Sequence, residues 1–144
     1  MWANWTTGAS FQIIENQNSA PNSPSFQNVP NTIYQNQQIN LTINSGTDPD
    51  NDNTRLKLYA SGTNYTQNNP YTSSYQNDGS QFTIPLTFTQ LGNQTITAFT
   101  EDTNGATSSS VTYNVTVETQ PSGNNSPNQA TFISVPQEAI LNES

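Results

Sequence analysis

Apolar side chains recur at every second position in short runs between residues 24 and 118 of this 144-residue chain. The run at 39–43 is the clearest, because Ile39, Leu41 and Ile43 alternate with polar residues. Such alternation predicts β-strands that bury one face and expose the other. No stretch has the spacing of an amphipathic helix, so the chain is predicted to be all-β. The predicted strands cover residues 25–29, 39–43, 56–60, 81–88, 94–100 and 109–117, with a weaker candidate at 71–75.

Turns rich in Gly, Asn, Asp and Pro separate these strands. About seven short strands at this spacing predict two sheets packed as a sandwich. Pro85 lacks the N–H that a central strand needs, so the strand at 81–88 should lie at a sheet edge or carry a bulge. The side chains predicted to form the core are Phe26, Val29, Leu41, Ile43, Leu56, Leu58, Phe82, Ile84, Ile96, Ala98, Val111, Tyr113 and Val115.

The two ends of the chain repeat parts of its middle. Residues 127–144 align without gaps with residues 21–38 at an offset of about 106 residues, and residues 9–15 share the apolar rhythm of residues 111–117. A tandem array of sandwich domains explains both matches, and chance similarity in a biased composition is the alternative. The array predicts a tail at 1–18 (the end of a preceding repeat or a donor strand), a complete sandwich at 19–120, and a linker with the first strand of a following repeat at 121–144.

Charge narrows the possible partners. Ten acidic residues oppose two basic ones, Arg55 and Lys57, and the formal net charge is −8. Two bases cannot neutralise a row of phosphates or hold an anionic lipid surface, which argues against nucleic-acid and membrane-surface binding. No apolar run approaches the roughly 20 residues of a membrane span, so no membrane insertion is expected within this chain.

Composition also bears on catalysis and location. The chain has no His and no Cys, which removes zinc sites, Cys nucleophiles and His-based triads. We therefore expect no enzymatic activity and no cofactor other than a metal ion. Only 8% of the residues are charged. A surface of amides and hydroxyls does not titrate and offers trypsin-like proteases few sites, which favours an extracellular or cell-surface location.

Several stretches resemble a known family. Residues 40–52, NLTINSGTDPDND, followed by RLKLY at 55–59, are similar to the second and third strands of bacterial and archaeal immunoglobulin-like and cadherin-like tandem repeats. Residues 92–107 and 111–117 are similar to the last two strands of those repeats. The resemblance implies an immunoglobulin-like sandwich from an adhesin stalk or a surface filament, and a non-enzymatic structural repeat that assembles head-to-tail.

The expected partners are other copies or neighbouring repeats of the same protein, joined through the terminal strands. A strand without its sheet exposes unpaired backbone groups, and it frays or pairs with another chain. One alternative function is a filament subunit that self-assembles by donor-strand addition, and another is a carbohydrate-binding module. The residues predicted to anchor the assembly strands are Phe11, Ile13, Phe132 and Val135.

The densest acidic cluster, Asp48, Asp50 and Asp52, is a candidate Ca²⁺ site because Ca²⁺ accepts oxygen ligands from irregular loops. The loop does not fit an EF-hand, which needs Gly at its sixth position and Glu at its twelfth. The repeats that it resembles commonly carry Gly where Asn51 stands. The alternative is a plain turn in which the Asp48 side chain bonds to the backbone. Two further acids join the site if their loop lies at the same end: Glu101 and Asp102.

Lys57 is the only lysine of the chain and sits in the middle of a predicted strand. Some repeats of the resembling type cross-link such a Lys to an Asn or Asp side chain on another strand. The alternative is a solvated strand residue that deters pairing at an exposed edge.

Asn-X-Ser/Thr sequons are frequent, as the composition alone would produce. Those within strands alternate out of phase with their apolar neighbours, so their side chains should face solvent, where a glycan has room. The candidate glycosylation sites are Asn40, Asn64, Asn93 and Asn114.

Five aromatic residues are candidates for a sugar-binding platform, since rings stack on saccharides. The alternative is that the tyrosines pack over the edge of the sandwich. The candidate residues are Trp2, Trp5, Tyr65, Tyr71 and Tyr75.

Overall fold

The computed structural model describes residues 17–123. Within them the chain forms eight strands in two sheets and no helix, which confirms the all-β sandwich and places one strand more than the alternation indicated. One sheet has the order β1-β3-β6 and the other has the order β2-β8-β7-β4-β5. The strands are β1 (Ser25–Asn28), β2 (Thr32–Tyr34), β3 (Gln38–Asn44), β4 (Thr54–Ala60), β5 (Tyr71–Thr72), β6 (Gln81–Thr87), β7 (Gly92–Asp102) and β8 (Val111–Glu118).

The core lies between the inner faces of the two sheets. Leu41 and Ile43 on β3 and Ile96 on β7 are fully buried, because every second side chain of each strand points inward. Most of the predicted core is buried, while Phe26, Val29, Val111 and Tyr113 are half-buried and pack against it. Five buried residues were not in the prediction: Ile33, Ala60, Leu86, Phe88 and Val117.

Strand β2 is the element that the alternation missed. It runs parallel to β8, with Thr32 opposite Thr116 and Ile33 opposite Val117. Between β1 and β2 the chain crosses from one sheet to the other. Ile33 on β2 is buried in the core, with 2% of its surface exposed. A strand of three residues is too short to show a period, and its parallel partner lies far away in the sequence.

The strand that contains Pro85 lies at a sheet edge, as predicted. Strand β6 lies at the edge of the three-stranded sheet, and Pro85 pairs only with Asn40 of β3. The strand predicted at 71–75 was too long, because β5 contains only Tyr71 and Thr72. No helix that could span a membrane occurs among residues 17–123.

The chain enters and leaves the sandwich at opposite ends. We call the end formed by residues 17–24, 45–53 and 103–107 the N-terminal pole. The C-terminal pole contains the turns 35–37, 61–64 and 88–91 and residues 119–123. There the Gln35 amide donates to the Glu118 carbonyl over 2.8 Å, and the Thr89 amide donates to the Gly62 carbonyl over 2.7 Å.

Candidate functional site

The acidic loop at the N-terminal pole is organised by Asp48. Its side chain is buried, and Oδ1 accepts hydrogen bonds from the amides of Asp50 at 2.8 Å and Asp52 at 3.3 Å. Its Oδ2 is buried without a hydrogen-bond partner among the described residues. Asn51 adopts a φ of 60°, a left-handed conformation that Asn tolerates better than most residues. Asp48 therefore forms the backbone-bonded turn that was the alternative to a metal site.

The segment that precedes β1 is fixed to this loop. The Ser19 amide donates to Asp50 Oδ2 over 2.6 Å, and the Asn22 amide donates to the Thr47 carbonyl over 2.9 Å. The backbone of Asn22 passes so close to Gly46 that a Cβ there would lie 1.6 Å from the Asn22 carbonyl oxygen. Only glycine permits this approach.

Asn104 and Asp102 connect the same segment to the β7–β8 loop. Asp102 is fully buried, and its Oδ1 accepts from the amides of Asn104 at 2.9 Å and Ala106 at 2.8 Å. Its Oδ2 accepts from the side-chain amide of Asn18 at 2.9 Å. The Asn104 side-chain amide donates to Asp52 Oδ2 at 2.6 Å and to Asn18 Oδ1 at 3.0 Å. We call this network the linker clamp: Asn18, Asp50, Asp52, Asp102 and Asn104.

The calcium prediction concerns this pole. Asp50 and Asp52 line a shallow cavity with Asn18 and Asn104. Within residues 17–123 no group of three or more Asp, Glu, His or Cys side chains has a metal-binding arrangement. Asp102 lies at this end of the sandwich, as expected if both loops share an end. Binding of Ca²⁺ by Asp48, Asp50 and Asp52 stays a prediction.

Glu101 instead faces the outer side of the five-stranded sheet, where it binds both basic residues of the chain. Arg55 and Lys57 each pair with its carboxylate. Burial raises the pKa of the Glu101 carboxyl, but hydrogen bonds from Lys57 and Arg55 outweigh it and hold the pKa below its ordinary value. Arg55 also lies 4.6 Å from the ring centroid of Tyr75. Lys57 thus has a carboxylate partner on β7, and the cross-link to an Asn or Asp remains a prediction.

The candidate glycosylation sites are exposed, as expected for side chains that face solvent. Two of the sequons interlock across β7 and β8, where Asn93 faces Thr116 and Thr95 faces Asn114. The Thr95 hydroxyl donates to Asn114 Oδ1 over 2.9 Å, and the Thr116 hydroxyl donates to Asn93 Oδ1 over 3.3 Å. Glycosylation of Asn40, Asn64, Asn93 and Asn114 stays a prediction.

The tyrosines proposed as a sugar platform divide into two places. Tyr65 and Tyr71 pack edge-to-face with ring centroids 5.6 Å apart, and both pack against the core. Tyr75 lies beside Arg55 and donates its hydroxyl to the Asp102 carbonyl over 3.1 Å. The platform therefore does not form from these three residues. Trp2 and Trp5 lie outside the described residues, as do the assembly residues Phe11, Ile13, Phe132 and Val135.

The solved structures similar to this chain include three domains of archaeal and bacterial proteins. A PKD domain of an M14-like peptidase from a Thermoplasmatales archaeon has 22% identity and a TM-score of 0.56, covering 70% of this chain and 98% of that chain. Fibronectin(III)-like modules of Clostridium thermocellum CbhA have 14% identity and a TM-score of 0.48, covering 69% of this chain and 47% of that chain. The CARDB domain of PF1109 from Pyrococcus furiosus has 16% identity and a TM-score of 0.44, covering 67% of this chain and 96% of that chain.

No family model and no curated protein matches the sequence. The match to the archaeal PKD domain shows the immunoglobulin-like sandwich, and at this identity it shows the fold alone.

Proposed function

We propose that the sandwich is a non-enzymatic spacer repeat of an extracellular surface protein, which holds neighbouring domains in a line. The observation that carries this proposal is the placement of the chain ends. The chain reaches β1 at the N-terminal pole, where Asn18 contacts Asp102, and leaves β8 at the C-terminal pole, where Glu118 contacts Gln35. Domains joined end to end through such poles extend along one axis.

The linker clamp adds stiffness to this arrangement. A Gly- or Ser-rich linker behaves as a flexible coil, whereas Pro-rich linkers act as semi-rigid spacers. Here Pro21 and Pro24 are buried, and the residues around them bond to the β3–β4 loop through Ser19 and Asn22 and to the β7–β8 loop through Ser23. These bonds therefore fix the orientation of the sandwich relative to the segment that precedes it. The repeated sequence at the offset of about 106 residues supports the same interpretation, since Asn18, Pro21 and Asn22 recur as Asn124, Pro127 and Asn128.

The proposal is tested by joining two copies of residues 19–124 head to tail, preceded by residues 1–18, so that each sandwich follows the sequence spacing of the repeat. Small-angle X-ray scattering should then show one dominant distance between the two domain centres. The same tandem chain with Asn104→Ala in both copies weakens the clamp and is expected to broaden that distance distribution. A broad distribution in the unsubstituted tandem would contradict a spacer role.

A further inference from the structure

We propose that the C-terminal pole carries a binding cleft for an uncharged saccharide, an activity beyond the spacer role. The cleft has a volume of about 540 Å³, which lies within the range of small-molecule sites. One wall is the end of β4 with the turn at 61–63, and the other is β7 with the β6–β7 loop. The lining includes Tyr59, Gln67, Gln90, Thr95 and Thr97.

Hydrogen bonds hold the two walls together. The Gly62 carbonyl accepts from the Thr89 amide at 2.7 Å and from the Thr89 hydroxyl at 3.1 Å. The Ser61 amide donates to the Thr95 carbonyl over 3.0 Å, and the Thr95 amide donates to the Ser61 hydroxyl oxygen over 2.9 Å. The cleft is therefore formed before any ligand binds, which lowers the entropic cost of binding.

Gly62 maintains the shape of this wall. It adopts a φ of 69°, and a Cβ at this position would lie 2.9 Å from the Gln94 side chain. A larger residue would strain the turn and move one wall of the cleft.

The cleft combines one aromatic ring with several neutral polar groups. Tyr59 and Thr97 are opposite each other on the outer face of β4 and β7. Gln67 and Gln90 are exposed and bring side-chain amides, each with two N–H donors and a carbonyl acceptor. None of these four side chains belongs to the hydrogen bonds that join the walls, so their polar groups can bond to a ligand without opening the cleft.

Charge selects the class of ligand. Among the described residues no Asp, Glu, Lys or Arg lines the cleft, and both basic residues of the chain are bound to Glu101. A charged ligand would lose hydration without meeting an opposite charge. A neutral saccharide offers a C–H face to an aromatic ring and hydroxyls to amides and hydroxyls, which is the complement of Tyr59, Gln67, Gln90 and Thr97.

The test is a titration of the full ¹⁵N-labelled chain with neutral oligosaccharides built from glucose, galactose, mannose or N-acetylglucosamine, and with a sialylated oligosaccharide. Concentrations reach roughly 10 mM, which detects a Kd of about 1 mM. At least one neutral sugar should shift the amides of residues 59–67 and 90–97. Tyr59→Ala should weaken that binding at least tenfold, while Tyr75→Ala, an exposed tyrosine outside the cleft, should leave it unchanged.

Gln67→Ala provides a second variant at an exposed position, where folding is not at risk, and it should weaken binding measurably. The proposal is overturned if no neutral sugar shifts the cleft amides, if only the sialylated sugar binds, or if both cleft variants bind as well as the native chain. None of these results bears on the spacer role, which depends on the placement of the chain ends and on the linker clamp.

Discussion

The side-chain amide of Asn18 donates a 2.9 Å hydrogen bond to Asp102, a residue 84 positions later in the chain. The bond joins the segment that leads into the sandwich to the last residue of β7. Asn104 continues the connection to Asp52 in the β3–β4 loop. Three separate parts of the sequence are thereby fixed to one another at a single pole, which is the structural basis of the proposed stiff linker.

Asp102 should be the most important residue of the linker clamp for stability. Asp102→Ala leaves the amides of Asn104 and Ala106 without their acceptor in a partly buried loop. We expect the free energy of unfolding to fall by about 1–3 kcal/mol for such a loss. Urea denaturation measures the change. Thr103→Ala, at an exposed position in the adjoining loop, should change it by about 0.5 kcal/mol or less, and equal effects of the two variants would contradict the assignment.

The prediction for the core concerns Leu41 and Ile96. They lie on the inner faces of opposite sheets and are fully buried. Truncation to Ala removes buried methyl groups and leaves a cavity, so each variant should lose about 2–5 kcal/mol of stability. Chemical denaturation of the two variants, with Thr112→Ala on the outer face as the control, measures this difference. Losses below about 0.5 kcal/mol at both core positions would mean that the strand phases are wrong.

The ion pairs of Glu101 should make stability depend on pH. The pKa of this carboxyl is lower in the folded chain than its ordinary value of 4.5, because Lys57 and Arg55 favour the charged form despite burial. The resulting stabilisation is fully present above the ordinary pKa and is lost as pH falls through the folded-state pKa. The difference in unfolding free energy between the native chain and Glu101→Gln should therefore be constant near neutral pH and shrink below about pH 4.5.

Urea denaturation at a series of pH values follows this difference. Glu118→Gln replaces an exposed glutamate on β8 and serves as the control. A difference for Glu101→Gln that does not change between neutral and acidic pH would show that the ion pairs do not act in the folded chain.

Calcium binding is tested through thermal stability. If Asp48, Asp50 and Asp52 bind Ca²⁺, a chelator should lower the melting temperature, since a ligand that binds only the folded state stabilises it. Asp50→Asn should then remove the sensitivity to the chelator. Glu118→Gln, an exposed acid at the opposite pole, is the control. A melting curve that ignores both calcium and chelator would leave Asp48 as a turn residue only.

The terminal strands are predicted to join copies of the chain. Deleting residues 1–16 spares Asn18 and the linker clamp but removes Phe11 and Ile13. Sedimentation velocity should show assemblies of the full chain at high concentration and monomers of the shortened chain, while circular dichroism shows the same β-sheet spectrum for both. Persistent assembly after the deletion, or a monomeric full chain, would contradict the predicted role of the N-terminal tail.

The amino-acid sequence by itself determined the β class, most strand positions and most of the core. These features are local, because apolar side chains at every second position indicate which face of a strand is buried. The run Ile39, Leu41 and Ile43 shows this directly, and Pro85 indicated an edge because proline cannot donate a ladder hydrogen bond. Strand β2 was not predicted in this way, because three residues are too few to show an alternating pattern.

Only the tertiary structure decided which distant groups meet. The linker clamp depends on Asn18 reaching Asp102, and the cleft depends on the turn after β4 meeting the β6–β7 loop. Glu101 and Asp102 are adjacent in sequence, yet their side chains point to opposite faces of β7, so one binds Arg55 and Lys57 and the other binds the linker. Pairing and register fix these contacts, and both follow from how the whole chain packs rather than from any local pattern.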